Sequence, residues 1–406
     1  MAGQWPVPAD FAAPPDAATL AGWLEADGAA RPARLARLRD RFADAGIDAY
    51  FGVRREHMRY LTGFTLADGE ERVAGTSGQF LVSGDEVVVL ADTRYIIQAR
   101  REAPEARIAE VYGDLPSRWP ELVGSIGARR VGVEAGFVAH ATWQRLAVAA
   151  PDVELVPIEG WLEADRALKA PAEVERIRAA CAVADRALAG LLPSIRAGVT
   201  EASLALDLEW RMRTGGAEAL AFEVACLSGP EAALPHGAPG DRPVLDGSVL
   251  LFDFGAQVGG YRSDMTRTLF VGEPSSRDLT VYELVARAQG AAISALETAV
   301  ATDGELPSGR VIDGVARAVI AEGGHAERFG HGTGHGIGLA THEGPSLGVK
   351  ATDTPLPSPT VFSVEPGVYL AGEMGVRIED LVLLDAGARR VERLTGFPRE
   401  VLVVGR

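Results

Sequence analysis

The chain has 406 residues, 47% of them hydrophobic, and carries 56 acidic against 40 basic side chains for a formal charge of −16. That length exceeds the size at which one core keeps growing, so two domains are expected. The acidic excess, without any dense Lys/Arg block, weighs against non-specific binding to nucleic acid or an anionic membrane. No run approaches about eighteen uncharged apolar residues, so no membrane span is expected.

The amino-terminal MAGQWPVPADFAAPPDAATLAGW lacks a basic flank ahead of a continuous apolar run and does not read as a secretion signal. Cys181 and Cys226 both lie in apolar segments, the pattern of two buried thiols in a reducing compartment rather than a bridge. A cytoplasmic location is expected.

Residues 1–28, rich in Pro, Ala and Asp, read as an irregular arm. From Arg31, Leu35, Leu38 and Phe42 form a helical stripe that Gly46 stops, and a strand follows over 49–53. Short strands are expected over 79–82 and 86–90, joined by a turn through Ser83, Gly84 and Asp85. Helices over 93–101, 119–126 and 141–149 alternate with strands over 107–111, 130–133 and 154–157. This alternation predicts a smaller α/β domain over 29–160, followed by a linker over 161–170.

Pro171 is suited to open a helix, with Glu173 and Glu175 at its positive end. Val174, Ile177, Cys181, Ala184 and Leu188 then recur at three- and four-residue spacing. Thr200 is the expected cap of a second helix that turns Leu204, Leu208 and Met212 inward. Beyond these the grammar changes: strands over 248–254, 261–270, 360–365, 375–384 and 401–404 are interspersed with helices over 279–296 and 309–322. The second domain, 171–406, is therefore expected to be α+β, with helices over a curved sheet.

Chemistry concentrates in this second domain. Asp253 interrupts an otherwise apolar strand, and a buried unpaired carboxylate demands a partner. Asp264 follows in YRSDMTRT; a hairpin connection over 255–260 would bring the two acids onto neighbouring strands. Glu365 in VFSVEPGVY and Glu379 in GVRIEDLVL form a second acidic pair, and strand alternation puts Arg377 on the face of Glu379. FGHGTGHGIGLATHEGP, residues 329–345, adds His331, His335 and His342 among glycines that tolerate tight turns and close backbone approach. Four carboxylates and His335 make a mixed oxygen and nitrogen set that suits manganese, cobalt or zinc. Carboxylates can bridge, and two ions about 3.5 Å apart can share and activate one water. Buried structural ion pairs, through Arg262 or Arg267, are the competing account of the same acids.

The stretches ACLSGPEAALPHGAPGDRP, LLFDFGAQVGGYRSDMTRTLF, FGHGTGHGIGLATHEGP and VFSVEPGVYLAGEMGVRIEDLVL, in this order across residues 225–383, resemble the metallopeptidases of the pita-bread fold. That group includes methionine aminopeptidase, aminopeptidase P and Xaa-Pro dipeptidase. RLARLRDRFADAGIDAYFGVRREHMRYLTGF and DTRYIIQAR resemble the creatinase-type amino-terminal domain, which shifts the resemblance toward the prolidase and aminopeptidase P branch. It implies a C-terminal pita-bread domain behind a creatinase-like α/β domain.

The resemblance further implies two divalent ions per chain, manganese first and cobalt or zinc next, held by Asp253, Asp264, His335, Glu365 and Glu379. Asp264 and Glu379 correspond to bridging ligands. His236 and His342 match histidines that face the substrate, His331 lines the site in this branch, Glu365 matches the proton carrier, and Arg377 supports a bridging carboxylate. The implied substrates are small peptides with proline second, foremost dipeptides, and the implied assembly is a homodimer. Retention of all five ligands separates the chain from creatinase, which lacks the complete set. One departure stands out: some prolidases carry Arg just after the HExP motif, where this chain has Ser346.

Overall fold

The computed structural model describes residues 5–67, 75–302 and 304–405. They fall into two compact units, one of residues 21–165 and one of residues 166–406 together with the segment up to Leu20. Residues 1–4 of the expected arm lie outside the described residues.

The smaller unit is built on strands β1 (Ala49–Gly52), β2 (Phe80–Ser83), β3 (Val87–Ala91), β4 (Arg107–Glu110), β5 (Arg130–Glu134) and β6 (Glu154–Ile158). They form one sheet in the order β4-β3-β2-β1-β5-β6. The β1-β2 and β2-β3 pairs are antiparallel and the others parallel, as a helix-strand alternation with one hairpin requires. Phe51 and Trp119, with ring centroids 5.0 Å apart edge to face, anchor its core.

Two boundary expectations are corrected. The arm is helical from Ala17, because the Asp16 carboxylate accepts the Thr19 amide at 2.8 Å and an alanine-rich stretch follows into the helix Ala17–Asp40. Ahead of that helix the chain packs on the larger unit: Trp5 donates to the Val403 carbonyl at 3.0 Å and Phe11 stacks on Phe397. The expected linker contains the helix Trp161–Ala167, with Leu162 fully buried and Trp161 stacked on Tyr50.

In the larger unit the helix Pro171–Leu191 begins as expected, with the Glu173 carboxylate capping the Ala170 amide at 2.6 Å. The helix Glu201–Thr214 is capped by Thr200. The strands are β7 (Ala219–Leu220), β8 (Ala225–Ser228), β9 (Val249–Phe254), β10 (Ala256–Val258), β11 (Tyr261–Arg262), β12 (Met265–Val271), β13 (Gly334–Gly336), β14 (Glu343–Leu347), β15 (Thr360–Val364), β16 (Gly367–Leu370), β17 (Met374–Arg377), β18 (Asp380–Asp385), β19 (Arg390–Arg393) and β20 (Val403–Val404). The two principal sheets run β20-β12-β9-β8 and β14-β13-β15-β18-β19. The helices Ser276–Ala301 and Gly309–Glu322 cover them, packing Val285, Ala292, Ile312 and Ile320 into one core with Phe362 and Val382.

Two strands that read as continuous in the sequence are broken. The 261–270 strand divides at Ser263 and Asp264: β11 pairs with β10, and β12 pairs with β9. The 375–384 strand divides at Ile378 and Glu379: β17 pairs with β16, and β18 with β15. Each break is where the chain changes partner. Freed from the ladder, the Glu379 amide donates instead to the Thr266 carbonyl at 3.1 Å.

Candidate metal centre

The partner changes place Asp264 and Glu379 at matching gaps. Among the described residues, Asp264, His335 and Glu379 offer ligand atoms that all lie within 4.8 Å of one another. Asp253 on β9 and Glu365, just past β15, line the same cavity of about 410 Å³, as do His236, His331, His342 and Ser346. All five expected ligands and all three expected substrate-facing histidines thus open on one space.

His335 sits between two glycines for steric reasons. A Cβ on Gly334 would stand 1.9 Å from the Ser363 carbonyl oxygen, and one on Gly336 the same distance from the Gly344 carbonyl oxygen. β13 therefore runs tightly between β14 and β15. The loop before it is fixed from the 309–322 helix, where Asp313 accepts the Thr333 amide and hydroxyl at 3.0 and 2.9 Å. Arg317 bonds Asp313 at 2.6 Å and the carbonyls of Phe329 and His331. The Ser363 hydroxyl accepts the His335 amide at 3.1 Å and donates to Glu365 Oε1 at 3.0 Å.

The electrostatics are those of acceptors that outnumber their donors. His335 Nδ1 donates to the Gly336 carbonyl at 3.1 Å, which leaves the Nε2 lone pair facing Glu365 Oε1 at 3.3 Å and Asp264 Oδ2 at 3.6 Å. Asp253 Oδ1 and Glu379 Oε1 are buried without a hydrogen-bond partner. Burial, then repulsion from Glu379, Asp253 and Glu365, pushes the Asp264 carboxyl well above the usual carboxylate range. Burial, then Glu365 and Asp253, does the same to Glu379. Burial also raises Glu365 and lowers His335, His331 and His342, which favours neutral imidazoles. A neutral nitrogen and orphaned carboxylate oxygens converging on one point fit a divalent cation, whose charge removes the repulsion.

Arg377 is the counterweight. Although burial opposes its charge, Tyr369, Asp253, Glu365 and Glu379 hold its guanidinium protonated well beyond the usual range. It pairs directly with Asp253, donates to Thr266 Oγ1 at 2.8 Å and to the Tyr369 hydroxyl at 2.9 Å. Thr266 Oγ1 in turn donates to Glu379 Oε2 at 2.8 Å. The expected support of a bridging carboxylate runs through this threonine, and the direct contact is to Asp253. Such contacts orient ligands and set their basicity.

The histidines divide by their partners. Both His331 nitrogens are engaged, Nδ1 donating to the Gly332 carbonyl at 2.8 Å and Nε2 accepting from Tyr369 at 2.7 Å. His236 and His342 have no hydrogen-bond partner among the described residues and are exposed to the cavity. The His342 ring centroid is 4.2 Å from that of His335. His57 belongs to the smaller unit, where it is fully buried with Nδ1 2.6 Å from Glu134. Arg267, one competing partner for these acids, is turned to a carboxylate outside the cluster. Arg262 donates to the Ala221 carbonyl and Thr341, whereas Arg267 pairs with Asp380 at 2.6 Å.

Thr266 and Tyr369 escaped the sequence reading. Thr266 had no legible signal, since a hairpin closed over 255–260 would set Arg262 opposite Asp253, whereas the observed register sets Thr266 there. Tyr369 had none, because its contact with Arg377 depends on the β16-β17 pairing.

The sequence pattern of metallopeptidase family M24 matches residues 175–386, and that of the creatinase/prolidase N-terminal domain matches residues 34–168. The chain belongs to metallopeptidase family M24. As a family M24 metallopeptidase it is 30% identical to the Xaa-Pro dipeptidase of Pyrococcus furiosus over 375 residues, covering 91% of this chain and 99% of that relative. Among solved structures it is similar to an Xaa-Pro dipeptidase from Bacillus anthracis, with a TM-score of 0.82, 33% identity and coverage of 92% and 100%. It is likewise similar to an X-Pro aminopeptidase from Thermotoga maritima, with a TM-score of 0.77, 34% identity and coverage of 91% and 100%. The expected pita-bread architecture with a creatinase-like amino-terminal domain holds. No helix among the described residues is long and apolar enough to cross a membrane.

Proposed function

We propose that this metallopeptidase hydrolyses Xaa-Pro bonds in small peptides, dipeptides foremost, using two divalent ions. The observation that carries the reading is the acceptor-only cluster of Asp264, His335 and Glu379, flanked by Asp253 and Glu365, in a chain similar over nearly its full length to Xaa-Pro enzymes. Four carboxylates face one guanidinium in the cavity. That excess of negative charge exceeds what one divalent ion neutralises, which supports a pair. Manganese is the first candidate, then cobalt and zinc.

When bound, the ions would supply an acidified water and polarise the scissile carbonyl. The protein's own groups do the rest. Asp253, Asp264, His335, Glu365 and Glu379 would hold the ions. Glu365, which lines the cavity and accepts from the Ser363 hydroxyl, is placed to take the water's proton and return it to the proline nitrogen. His236 and His342 have free ring nitrogens with which to donate to the substrate carbonyl and the developing oxyanion, and the His331 ring forms part of the substrate wall. Arg377 and Thr266 hold Asp253 and Glu379 in place. A homodimer in the cytoplasm is the proposed working form.

A second reading, aminopeptidase action on longer Xaa-Pro peptides, is favoured by Ser346, which puts no cation where a dipeptide's carboxylate would be recognised. The test is hydrolysis of Ala-Pro, Ala-Pro-Ala and Ala-Ala by metal-stripped protein reloaded with manganese, cobalt or zinc. Metal-restored cleavage confined to the proline peptides is expected. Equal cleavage of Ala-Ala, or activity that persists without metal, would reject the proposal. The ratio of Ala-Pro to Ala-Pro-Ala turnover separates the two readings.

A further inference from the structure

Ser346 lines two cavities, the metal cavity and a neighbour of about 310 Å³. The β13-β14 register pairs Ser346 with the metal-cluster residue His335, so Ser346 lies one strand away from the cluster. The second cavity is walled by Pro345, by the 350–352 and 354–357 segments, and by Gly309 at the start of the 309–322 helix. These walls are tied together. The Leu356 amide donates to the Pro307 carbonyl at 3.0 Å, and Arg310 bonds the Ala351 carbonyl at 2.8 Å and Asp353 at 2.9 Å. A Cβ on Gly309 would stand 2.0 Å from the Ser346 carbonyl oxygen, so the helix begins directly against the Ser346 backbone.

Among the described residues, Lys350 is the one charged residue in the lining of this cavity, no carboxylate shares the wall, and nearby Asp353 is already paired with Arg310. Lys350 is exposed and has no hydrogen-bond or ion-pair partner among the described residues. The chain's other lysine, Lys169, is buried against Glu343 at 3.0 Å. Among the described residues the metal cavity offers no rival Lys or Arg, since Arg377, the one lining it, is committed to Asp253, Thr266 and Tyr369.

We propose that the cavity beyond Ser346 receives the peptide tail downstream of the scissile bond, and that the Lys350 ammonium pairs with the terminal carboxylate of that tail. This rests on the Xaa-Pro reading and extends it to substrate length. A peptide with its amino end at the metal cluster and proline beside Ser346 would direct its next residues toward the neighbouring cavity, whose lining shares Ser346. An exposed ion pair of this kind contributes modestly and is screened by salt.

The test compares Ala-Pro-Ala-Ala with its C-terminal amide, using manganese-loaded wild type, Lys350→Gln and Lys350→Glu. The wild type is expected to favour the free acid in kcat/KM by roughly five-fold, the scale of a partly exposed pair. That preference should reside in KM and shrink at high salt. It should disappear in Lys350→Gln and invert in Lys350→Glu. The same acid-to-amide ratio in all three proteins would overturn the Lys350 assignment while leaving Xaa-Pro hydrolysis standing. Failure of the wild type to cleave any Xaa-Pro peptide would remove both.

Discussion

His335 Nε2 and Glu365 Oε1 face each other at 3.3 Å, a lone pair set against a carboxylate. The Ser363 hydroxyl fixes both residues, one through its backbone and the other through its side chain. Glu365→Gln keeps the shape of the side chain but loses its capacity to take a proton. Turnover should fall at least about a hundred-fold, the usual contribution of general acid-base transfer. Part of the loss should appear as weaker metal binding. Steady-state kinetics beside metal content by mass spectrometry checks this, and retained activity at full occupancy would sink the assignment.

Metal binding should also depend on pH in a defined direction. Without metal, Asp264 and Glu379 have folded-state pKa values above their unfolded ones. Such groups contribute stability that is fully present below the unfolded carboxylate pKa and is lost as pH rises through the raised folded values. These two groups therefore lower the Tm of metal-free protein progressively on the way from acid to neutral. A divalent ion prefers the ionised carboxylates, so the rise in Tm on adding manganese should grow over the same window. Melting curves with EDTA and with manganese chloride, between about pH 5 and about pH 8, test this. A metal-induced shift of equal size throughout would contradict it.

The glycines flanking His335 give a prediction with an internal control. In Gly334→Ala the new Cβ meets the backbone of Ser363, the residue that fixes both His335 and Glu365, whereas a Cβ on Gly330 finds nothing within 4 Å. Gly334→Ala should cost about 3 kcal/mol and reduce metal occupancy. Gly330→Ala should change neither. Urea unfolding of both variants, with metal analysis, decides the matter; a stable, fully loaded Gly334→Ala protein would show that the close approach does not position the centre.

The proposed ligand residues were legible because their chemistry conflicts with their surroundings. Asp253 in an apolar strand and three histidines among glycines are costly without a purpose, and four motif stretches in order made the family recognisable. The local elements followed from periodicity, as at Val174, Ile177 and Leu188, all buried along one helix face. The breaks at Asp264 and Glu379 did not, because an apolar alternation reads the same whether a strand keeps its neighbour or changes it. The helix from Ala17 was hidden by prolines that precede it, although Asp16 carried the capping signal. Tyr369 and Lys350 were silent for a related reason: their roles depend on walls assembled from distant segments, and sequence spacing does not report those.

Ser346 offers a direct way to move specificity. Its backbone is fixed by pairing with His335 and by the close approach of Gly309, while its side chain is exposed to the cavity. Ser346→Arg can therefore be accommodated without repacking a core. A guanidinium there would meet the carboxylate immediately after proline and partly close the way to Lys350. The ratio of kcat/KM for Ala-Pro over Ala-Pro-Ala should rise by about ten-fold, the effect of a charge-assisted hydrogen bond of about 1.5 kcal/mol. Most of that change should come from a lower KM for the dipeptide and a higher one for the tripeptide. An unchanged ratio in a folded, metal-loaded variant would mean that the downstream carboxylate does not pass Ser346.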